Sequence, residues 1–203
     1  MLDHNLQFFK QTGLSESVLA RTETYLDLLE RWNRVHALTS LSPGERFEEL
    51  ILDACLALLN PLKAVAAGAC VVDFGSGMGI PAIPVALARP DLRVVAVDAS
   101  AKKVAFIRQV CLEMGLRNVD PVHSRAEVLP PLSAEAGMAK AVGSLPILLG
   151  WWERHGLAGA PFFALKGPGS ECEAAPGGWS LERLSYDLPT RGSRHVLKLW
   201  RPT

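Results

Sequence analysis

One stretch decides the fold of this chain: Cys70-Val71-Val72-Asp73-Phe74-Gly75-Ser76-Gly77-Met78-Gly79-Ile80-Pro81. It begins as a short apolar run, reaches an acid at Asp73 and continues with three glycines at alternate positions. This pattern predicts a buried strand that enters a tight turn. Glycine permits a positive φ and a close approach of the backbone to a ligand, and the helix predicted next offers unpaired N–H groups at its N-terminus. The stretch therefore predicts a cradle of nucleotide size around Gly75 and Gly77.

A second acid, Asp98, ends the next predicted strand, about 20 residues after the glycine turn. An acid at this place typically binds both hydroxyls of a ribose, so the two signals together indicate an adenosine-bearing cofactor. In a dinucleotide fingerprint the third glycine would fall at Ile80. Asp73 would repel a phosphate, whereas it can receive the ammonium group of a methionine moiety, directly or through water. S-adenosylmethionine is therefore favoured over NAD as the cofactor.

The composition predicts one ordinary domain with at most a small extension. The chain has 203 residues, of which 49% are hydrophobic, and this content is ample for a core. Its apolar runs are too short to span a bilayer, and its first residues lack a charged-then-apolar signal. The cysteines are widely spaced without a Cys-x-x-Cys pair, which favours reduced thiols over disulfides or a metal site. We therefore expect a soluble, cytoplasmic protein that binds no metal, with free thiols at Cys55, Cys70, Cys111 and Cys172.

The charge balance does not by itself predict a nucleic-acid partner. The chain has 21 basic and 21 acidic residues and a formal net charge of zero, whereas sequence-independent binding to phosphates depends on positive charge. Local basic clusters would have to supply that charge, although each cluster is also compatible with an ordinary solvated surface. The clusters are Arg31 with Arg34 and His36, Lys102 with Lys103 and Arg108, and Arg191 with Arg194, His195, Lys198 and Arg201.

The N-terminal part of the chain is predicted to be helical. Ser15 can cap a helix whose apolar positions recur every 3.6 residues and which ends near Val35. A second helix is predicted from the capping box Ser42-Pro43-Gly44-Glu45 to Asn60-Pro61, where the proline stops it. These helices are too short to form an independent domain. We therefore predict a helical extension over residues 1–66, docked on a domain over residues 67–203.

From residue 69 onward the pattern alternates strands and helices. This alternation predicts an α/β fold with a mostly parallel sheet and helices on both faces. Ligands of such sheets bind at the carboxyl ends of the strands. The last two strands flank a Pro-Thr-Arg-Gly turn and are expected to pair as an antiparallel hairpin. Strands are predicted over 69–74, 93–97, 118–122, 138–142, 161–165, 179–188 and 193–200, and helices over 81–88, 101–114 and 146–155.

Several short motifs, spread over nearly the whole chain, resemble those of one protein family. They are Trp32-Asn33, Leu38-Thr39-Ser40, Ile51-Leu52-Asp53, Gly79-Ile80-Pro81-Ala82-Ile83-Pro84, Ser124-Arg125-Ala126-Glu127, Ala164-Leu165-Lys166-Gly167 and Arg194-His195. On these motifs the chain resembles the RsmG family, also called GidB, of ribosomal RNA small-subunit methyltransferases G. The resemblance implies a Rossmann-like, S-adenosylmethionine-dependent methyltransferase with the C-terminal hairpin closing its sheet. It also implies methylation of ring nitrogen 7 of a guanosine in the decoding region of 16S ribosomal RNA. The sequence leaves open whether naked RNA, an assembly intermediate or a finished subunit is the substrate. We expect a monomer, although the sequence does not fix the oligomeric state.

The resemblance also assigns roles to individual residues. Lys140, at the end of the fourth strand, stands where the family has an arginine, and the resemblance gives it a contact with the cofactor and a catalytic role. A lysine keeps the charge of arginine but lacks its planar fork. Further cofactor contacts are implied at Gly75, Ile80, Ala126 and Glu127, beside the ribose contact of Asp98. Phosphate contacts, which would position the RNA without reading its sequence, are implied at Arg125, Lys166 and Arg194.

The chain also departs from the family pattern outside position 140. Ala37 replaces the asparagine that usually precedes Leu-Thr-Ser, and Leu50 replaces the histidine that usually precedes Ile-Leu-Asp. Glu135-Ala136-Gly137 stands where Phe-Asp normally precedes the fourth strand. These departures indicate a divergent member, and they leave a changed substrate or a reduced activity open.

The expected chemistry needs few special residues. Ring nitrogen 7 of guanine has a free lone pair and no proton, so its methylation needs no general base and can rely on positioning. The sequence lacks the Asp/Asn-Pro-Pro-aromatic tetrapeptide used on exocyclic amines and the Pro-Cys nucleophile used on pyrimidine carbon 5, which agrees with a ring-nitrogen target. Trp32, Trp151 and Trp152 are candidates to stack on a flipped base, although Trp32 fits the apolar stripe of the first helix.

Three other functions remain open from the sequence. A small-molecule methyltransferase on the same fold is favoured by the neutral charge. A catalytically poor protein that binds cofactor and RNA is favoured by Lys140, Ala37 and Leu50. An NAD oxidoreductase comes third, and a binding assay with both cofactors would separate it from the others.

Overall fold

Helices form the N-terminal part of the computed structural model, which describes residues 14–167 and 173–202. The predicted capping box is confirmed, since the Glu45 carboxylate accepts the Ser42 N–H at 2.9 Å. Ser15 occupies the N-cap position of the first helix as predicted, but its hydroxyl contacts that of Ser17 and no backbone N–H. The second predicted helix contains a π-helical stretch, whose hydrogen bonds reach one residue further than those of an α-helix. These elements are α1 (Glu16–His36), α2 (Pro43–Arg46), the π-helical stretch (Phe47–Leu52), α3 (Asp53–Leu58) and a 3₁₀ helix (Pro61–Ala64).

A seven-stranded sheet with strand order 3-2-1-4-5-7-6 forms the rest of the fold. Strands β1 to β5 run parallel, and β7 runs antiparallel to both β5 and β6, so the mostly parallel sheet and the C-terminal hairpin are confirmed. The strands are β1 (Cys70–Phe74), β2 (Arg93–Asp98), β3 (Val119–His123), β4 (Ala136–Lys140), β5 (Phe162–Lys166), β6 (Ser180–Leu188) and β7 (Gly192–Trp200). The helices between them are α4 (Ala82–Ala88), α5 (Ala101–Met114) and α6 (Leu145–His155).

Strand β4 begins and ends earlier than the predicted span 138–142, which is therefore wrong. Ala136 and Gly137, expected to precede the strand, pair with β1. A Cβ atom at Gly137 would lie 2.5 Å from the ring of Phe162, so the strand needs glycine there despite its low strand propensity. Lys140 ends the strand as expected, and Ala141 already has a left-handed backbone with φ +54°.

The sheet has helices on both faces, as predicted. Val71 of β1 points into the core shared with α1, α3, α4 and α5, and Val72 points into the core shared with α6, because successive strand residues face opposite sides. Leu28 and Leu29 of α1 are buried in the first of these cores. The N-terminal helices thus share one core with the sheet, and a boundary between residues 66 and 67 stays a prediction.

The described cysteines carry free thiols. Burial raises the pKa of Cys55 to about 12 and that of Cys111 to about 11, so both thiols stay protonated. Cys172 lies outside the described residues. Among the helices of the described part of the chain, none is long and apolar enough to cross a membrane.

Candidate active site

The glycine turn after β1 folds across the end of β2. The N–H groups of Gly75 and Ser76 both donate to the carbonyl oxygen of Val97, at 2.8 and 3.0 Å. Gly75 has a φ of +69°, and a Cβ atom built on it would lie 2.5 Å from Cγ2 of Val142. The turn therefore requires glycine at position 75, both for its backbone conformation and for the close approach of the loop after β4.

The carboxylate of Asp98, at the end of β2, is held in place by backbone donors. Its Oδ2 accepts the N–H of Gly77 at 2.8 Å, and its Oδ1 accepts the N–H of Ser100 at 2.8 Å. Each carboxylate oxygen has a further lone pair, so Asp98 can still accept hydroxyl groups of a ligand in the cleft that it lines. The glycine turn and the acid, which are separate signals in the sequence, are thus joined by a hydrogen bond.

A cleft of about 250 Å³ lies at the carboxyl ends of β1, β2 and β3. Five of the residues predicted from the sequence line it together: Gly75, Asp98, Arg125, Ala126 and Glu127. Six further residues, to which the sequence did not assign a cofactor contact, also line it: Val97, Ala99, Lys103, Ser124, Val142 and Trp151. The sequence offered only weak signals for the latter group, because Lys103 belongs to a basic cluster and Trp151 to an apolar helix.

Helix α6 supports the cleft from the second face of the sheet. The ring of Trp151 packs edge-on against Phe74, with 5.8 Å between centroids. His155 is fully buried, and its Nε2 donates to the carbonyl oxygen of Ala126 at 2.9 Å, which fixes the proton on Nε2 because a carbonyl only accepts. No sequence pattern pointed to His155, since this contact joins residues 29 positions apart.

Asp73 lies beneath the glycine turn and does not line the cleft. It is fully buried; its Oδ2 accepts the N–H of Ala82 at 3.1 Å, and its Oδ1 has no hydrogen-bond partner among the described residues. Burial, with a smaller contribution from the charge of Asp98, raises the pKa of Asp73 to about 7. Gly77 reaches the cleft only through its bond to Asp98, and Ile80 is 6% exposed. The cofactor contacts predicted for Asp73, Gly77 and Ile80 stay predictions.

A second cavity, of about 260 Å³, lies at the carboxyl ends of β4 and β5. Lys140 lines it, with Nζ 2.5 Å from Oδ2 of Asp53 and a hydrogen bond to the carbonyl oxygen of Glu49. Lys140 does not line the cleft, so its predicted cofactor contact and catalytic role stay predictions. We call this space the charged cavity; its lining is Glu49, Asp53, Lys140, Ala141, Leu165, Lys166, Gly167 and Arg194.

The predicted RNA-binding residues differ in their ion pairs. Lys166 contacts Glu173 at 3.0 Å, and Arg194 contacts Glu49 at 3.4 Å. Arg125 is exposed and makes no ion pair with any residue in the described ranges. Their predicted contacts with phosphates stay predictions. Of the three, only Arg125 could bind a phosphate without first giving up an ion pair within the described residues.

The residues of the cleft fit an adenosyl group. A carboxylate at the end of β2 suits the two hydroxyls of a ribose, and the apolar Ala126 with the aromatic Trp151 suits a flat base. Glycine at position 75 keeps the space beside Val142 free of a side chain. Across residues 14–167 and 173–202, no group of three or more His, Cys, Asp or Glu side chains is placed to hold a metal ion.

Comparison with known proteins identifies close relatives of the chain. The family described as GidB, rRNA small subunit methyltransferase G, matches residues 19–184. The ribosomal RNA small subunit methyltransferase G of Yersinia pestis (strain Pestoides F) is 37% identical over 186 residues, which cover 86% of each chain. The protein of the same name from Enterobacter sp. (strain 638) is 32% identical over 205 residues, which cover 97% of each chain.

Solved structures share the fold. A mutant of MtNAS, crystallised in complex with S-adenosylmethionine, matches with a TM-score of 0.62 over 89% of this chain and 76% of that chain. The two sequences are only 15% identical, so this likeness concerns the fold alone. The predicted Rossmann-like methyltransferase architecture is thereby confirmed.

Proposed function

Because the chain belongs to the rRNA small subunit methyltransferase G family, we propose that it methylates ring nitrogen 7 of a guanosine in the decoding region of small-subunit (16S) ribosomal RNA. The observation that carries this proposal is the presence of two sites side by side on one edge of the sheet. The cleft fits an adenosyl group, and the charged cavity lies beyond Ala141 and Val142. A cofactor and a nucleobase can meet between them.

S-adenosylmethionine is the proposed cofactor. It supplies a methyl group on a positively charged sulfur, and the lone pair of nitrogen 7 forms the new bond to the methyl carbon while the sulfur keeps the electrons of the broken bond. Asp98 binds the ribose, since its carboxylate faces the cleft and is already held by Gly77 and Ser100. The remaining cofactor contacts are assigned to Asp73, Gly75, Gly77, Ile80, Ala126 and Glu127.

The contribution of the protein to the chemistry is positioning. Nitrogen 7 carries no proton, so no side chain has to remove one, and the rate depends on how the base and the methyl group are held. The ammonium group of Lys140 is fixed by Asp53 in the charged cavity. We assign to Lys140 a contact with the cofactor and a catalytic role at the reaction centre between the two sites, where its ammonium group also meets the substrate base.

The partner is the small-subunit RNA or the ribosomal subunit. Arg125, Lys166 and Arg194 lie at the same edge of the sheet as both sites and are assigned to backbone phosphates. We further propose that the protein acts as a monomer in the cytoplasm and without a metal ion. We also propose that the helical extension over residues 1–66 and the domain over residues 67–203 form one structural unit.

A second candidate is a protein that binds cofactor and RNA but transfers methyl groups poorly. It is favoured by one observation: the ammonium group of Lys140 is engaged by Asp53 and by the carbonyl oxygen of Glu49. A lysine in this state is less available to a substrate than a free one.

Nucleoside analysis of cells tests the proposed function. Deletion of the gene should remove one 7-methylguanosine from 16S rRNA, and complementation with the wild-type gene should restore it. Complementation with Asp98→Ala should fail, whereas Asp91→Ala, which changes an exposed acid paired with Arg89, should succeed. An unchanged 7-methylguanosine content after deletion would contradict the proposal.

A further inference from the structure

The charged cavity and the cofactor cleft each share lining residues with a third, smaller cavity between them. Val142 lines the cleft and also a small cavity of about 130 Å³. Ala141 and Lys166 line both this small cavity and the charged cavity. The three spaces therefore follow one another along the loop after β4. A ligand in the charged cavity lies next to the reaction centre of the proposed function.

One carboxylate in the charged cavity has unused hydrogen-bonding capacity. Both oxygens of Asp53 are engaged, Oδ1 by the hydroxyl of Tyr186 at 2.8 Å and Oδ2 by Lys140. The contacts of Glu49 instead fall on Oε1, which lies 3.1 Å from Nε of Arg191 and 3.4 Å from a terminal nitrogen of Arg194. Its Oε2 has no partner among the described residues, and its side chain is 20% exposed. Glu49 is thus a partly buried acceptor that faces the cavity.

The backbone around Glu49 is held from two sides. Glu49 lies in the π-helical stretch, where the N–H of Asp53 donates to the carbonyl oxygen of Glu48. The buried carboxylate of Glu48 accepts the N–H and the hydroxyl of Thr190, at 2.7 and 2.6 Å, in the turn between β6 and β7. Single π-helical turns occur often at functional sites. Glu49 therefore enters the cavity from a fixed backbone, as a recognition residue requires.

Guanine offers a matching pair of donors. Its Watson–Crick edge carries N1–H and the N2 amino group side by side, whereas its other edge carries the acceptors N7 and O6. Oε2 of Glu49 has two lone pairs, so this one oxygen can accept both N1–H and the N2 amino group, and such charge-assisted bonds are stronger than neutral ones. A carboxylate that binds the Watson–Crick edge therefore leaves N7 pointing away from it. The cavity is smaller than typical drug-sized pockets, which suits one base.

The same contact favours the reaction. When N7 forms its bond to carbon, the base becomes positively charged, and N1–H and the N2 amino group become stronger donors. A carboxylate that accepts from them binds the transition state more tightly than the ground state. We propose that the charged cavity binds the target guanine and that Glu49 recognises its Watson–Crick edge, so that N7 faces the cofactor cleft. This inference rests on the proposed function, which supplies the guanine.

Reconstituted small subunits that carry inosine at the target position test the inference. Inosine keeps N1–H and N7 but lacks the N2 amino group. With the wild-type protein, kcat/KM should fall by about 10-fold to 100-fold from guanosine to inosine, the loss of one hydrogen bond to a charged group. With Glu49→Gln, kcat/KM for guanosine should fall by a similar factor, and the ratio between guanosine and inosine should shrink to about 1 to 3.

A matched control is Glu45→Gln. Glu45 also contacts Arg191 but does not line the cavity, so this variant should keep the wild-type ratio. Equal kcat/KM for guanosine and inosine with the wild-type protein would overturn the inference, and this measurement needs no folded variant. A wild-type ratio retained by Glu49→Gln would also overturn it while leaving the proposed function intact. Absence of transfer to any small subunit would instead remove the proposed function and the inference with it.

Discussion

The carboxyl group of Asp73 is expected to make stability depend on pH. Its pKa is raised from near 4 to about 7, chiefly by burial, so the folded protein binds this proton more tightly than the unfolded chain. Folding stability is therefore lost as pH rises from about 4 to about 7. Asp73→Asn, whose amide oxygen can still accept the N–H of Ala82, removes this loss. In thermal unfolding without cofactor, the melting temperature of Asp73→Asn relative to that of the wild type should rise over this pH range and stay constant above it.

The control for this prediction has the opposite sign. The ion pair with Arg89 holds the pKa of the exposed Asp91 below its usual range. The melting temperature of Asp91→Asn relative to that of the wild type should therefore fall as pH rises through the ordinary range of a carboxyl group. A constant difference between Asp73→Asn and the wild type at every pH would contradict the assigned burial effect.

Gly75 should tolerate alanine far less well than Gly115 does. Both glycines have a left-handed backbone, with φ of +69° and +61°, which costs an L-residue about 1 to 2 kcal/mol. A Cβ at Gly75 also meets Val142 at 2.5 Å, whereas a Cβ at Gly115 meets nothing within 4 Å. Chemical denaturation should show that Gly75→Ala costs about 1 to 3 kcal/mol more than Gly115→Ala, the cost of overpacking. Equal costs would mean that the loop after β4 moves away freely.

At the scale of the elements, the C-terminus of α1 is strained. Ala37 closes this helix with φ +47° and ψ +56°, and its N–H donates to the carbonyl oxygen of Asn33 at 3.1 Å. Glycine and asparagine adopt this conformation more readily than alanine. Ala37→Gly should therefore stabilise the protein by about 0.5 to 1 kcal/mol, and the melting temperature should rise by a few degrees.

The same substitution inside the helix serves as its control. Ala20 is exposed in the second turn of α1, inside the helix, where glycine costs about 1 kcal/mol. Ala20→Gly should lower the melting temperature while Ala37→Gly raises it. A lower melting temperature for both variants would contradict the assignment of strain to the end of α1.

How well the sequence predicted each element depended on local chemistry. Helix α5 has the predicted bounds because Gly115 ends it in the left-handed conformation that glycine favours. Strand β4 was misplaced because Gly137 looks like a strand breaker, although the packing of Phe162 requires it. The π-helical stretch was missed because its apolar positions also fit a period of 3.6. Asp98 was found from its position after a strand, whereas Glu49 was not, since only the fold brings it to Lys140 and Arg194.

At the scale of the whole molecule, several basic side chains are paired with acidic ones. Arg31 contacts Glu113, Lys198 contacts Glu182, and Arg201 contacts Glu153. The basic clusters seen in the sequence are thus partly neutralised, which periodicity and composition cannot reveal because the partners lie far apart in the chain. The positive charge available to a phosphate is concentrated in fewer residues than the sequence implied.

Arg125 should account for a measurable part of RNA binding. It is exposed and has no ion pair among the described residues, so it can meet a phosphate without losing a partner. Arg125→Gln should weaken binding to 16S rRNA similarly for different sequences, and it should reduce the slope of log K against log salt by about 1. Arg201→Gln should leave the slope unchanged, because Arg201 follows β7 at the opposite edge of the sheet. An unchanged slope for Arg125→Gln would exclude a phosphate contact there.

Methyl transfer by the purified protein tests the central claim most directly. The measurement is the transfer of labelled methyl groups from S-adenosylmethionine to small ribosomal subunits from a strain that lacks the gene, followed by mapping of the modified nucleotide. We expect label at ring nitrogen 7 of a single guanosine in the decoding region, and loss of label with Asp98→Ala. Cofactor binding without transfer to subunits or to naked RNA, or label on another atom, would contradict the claim.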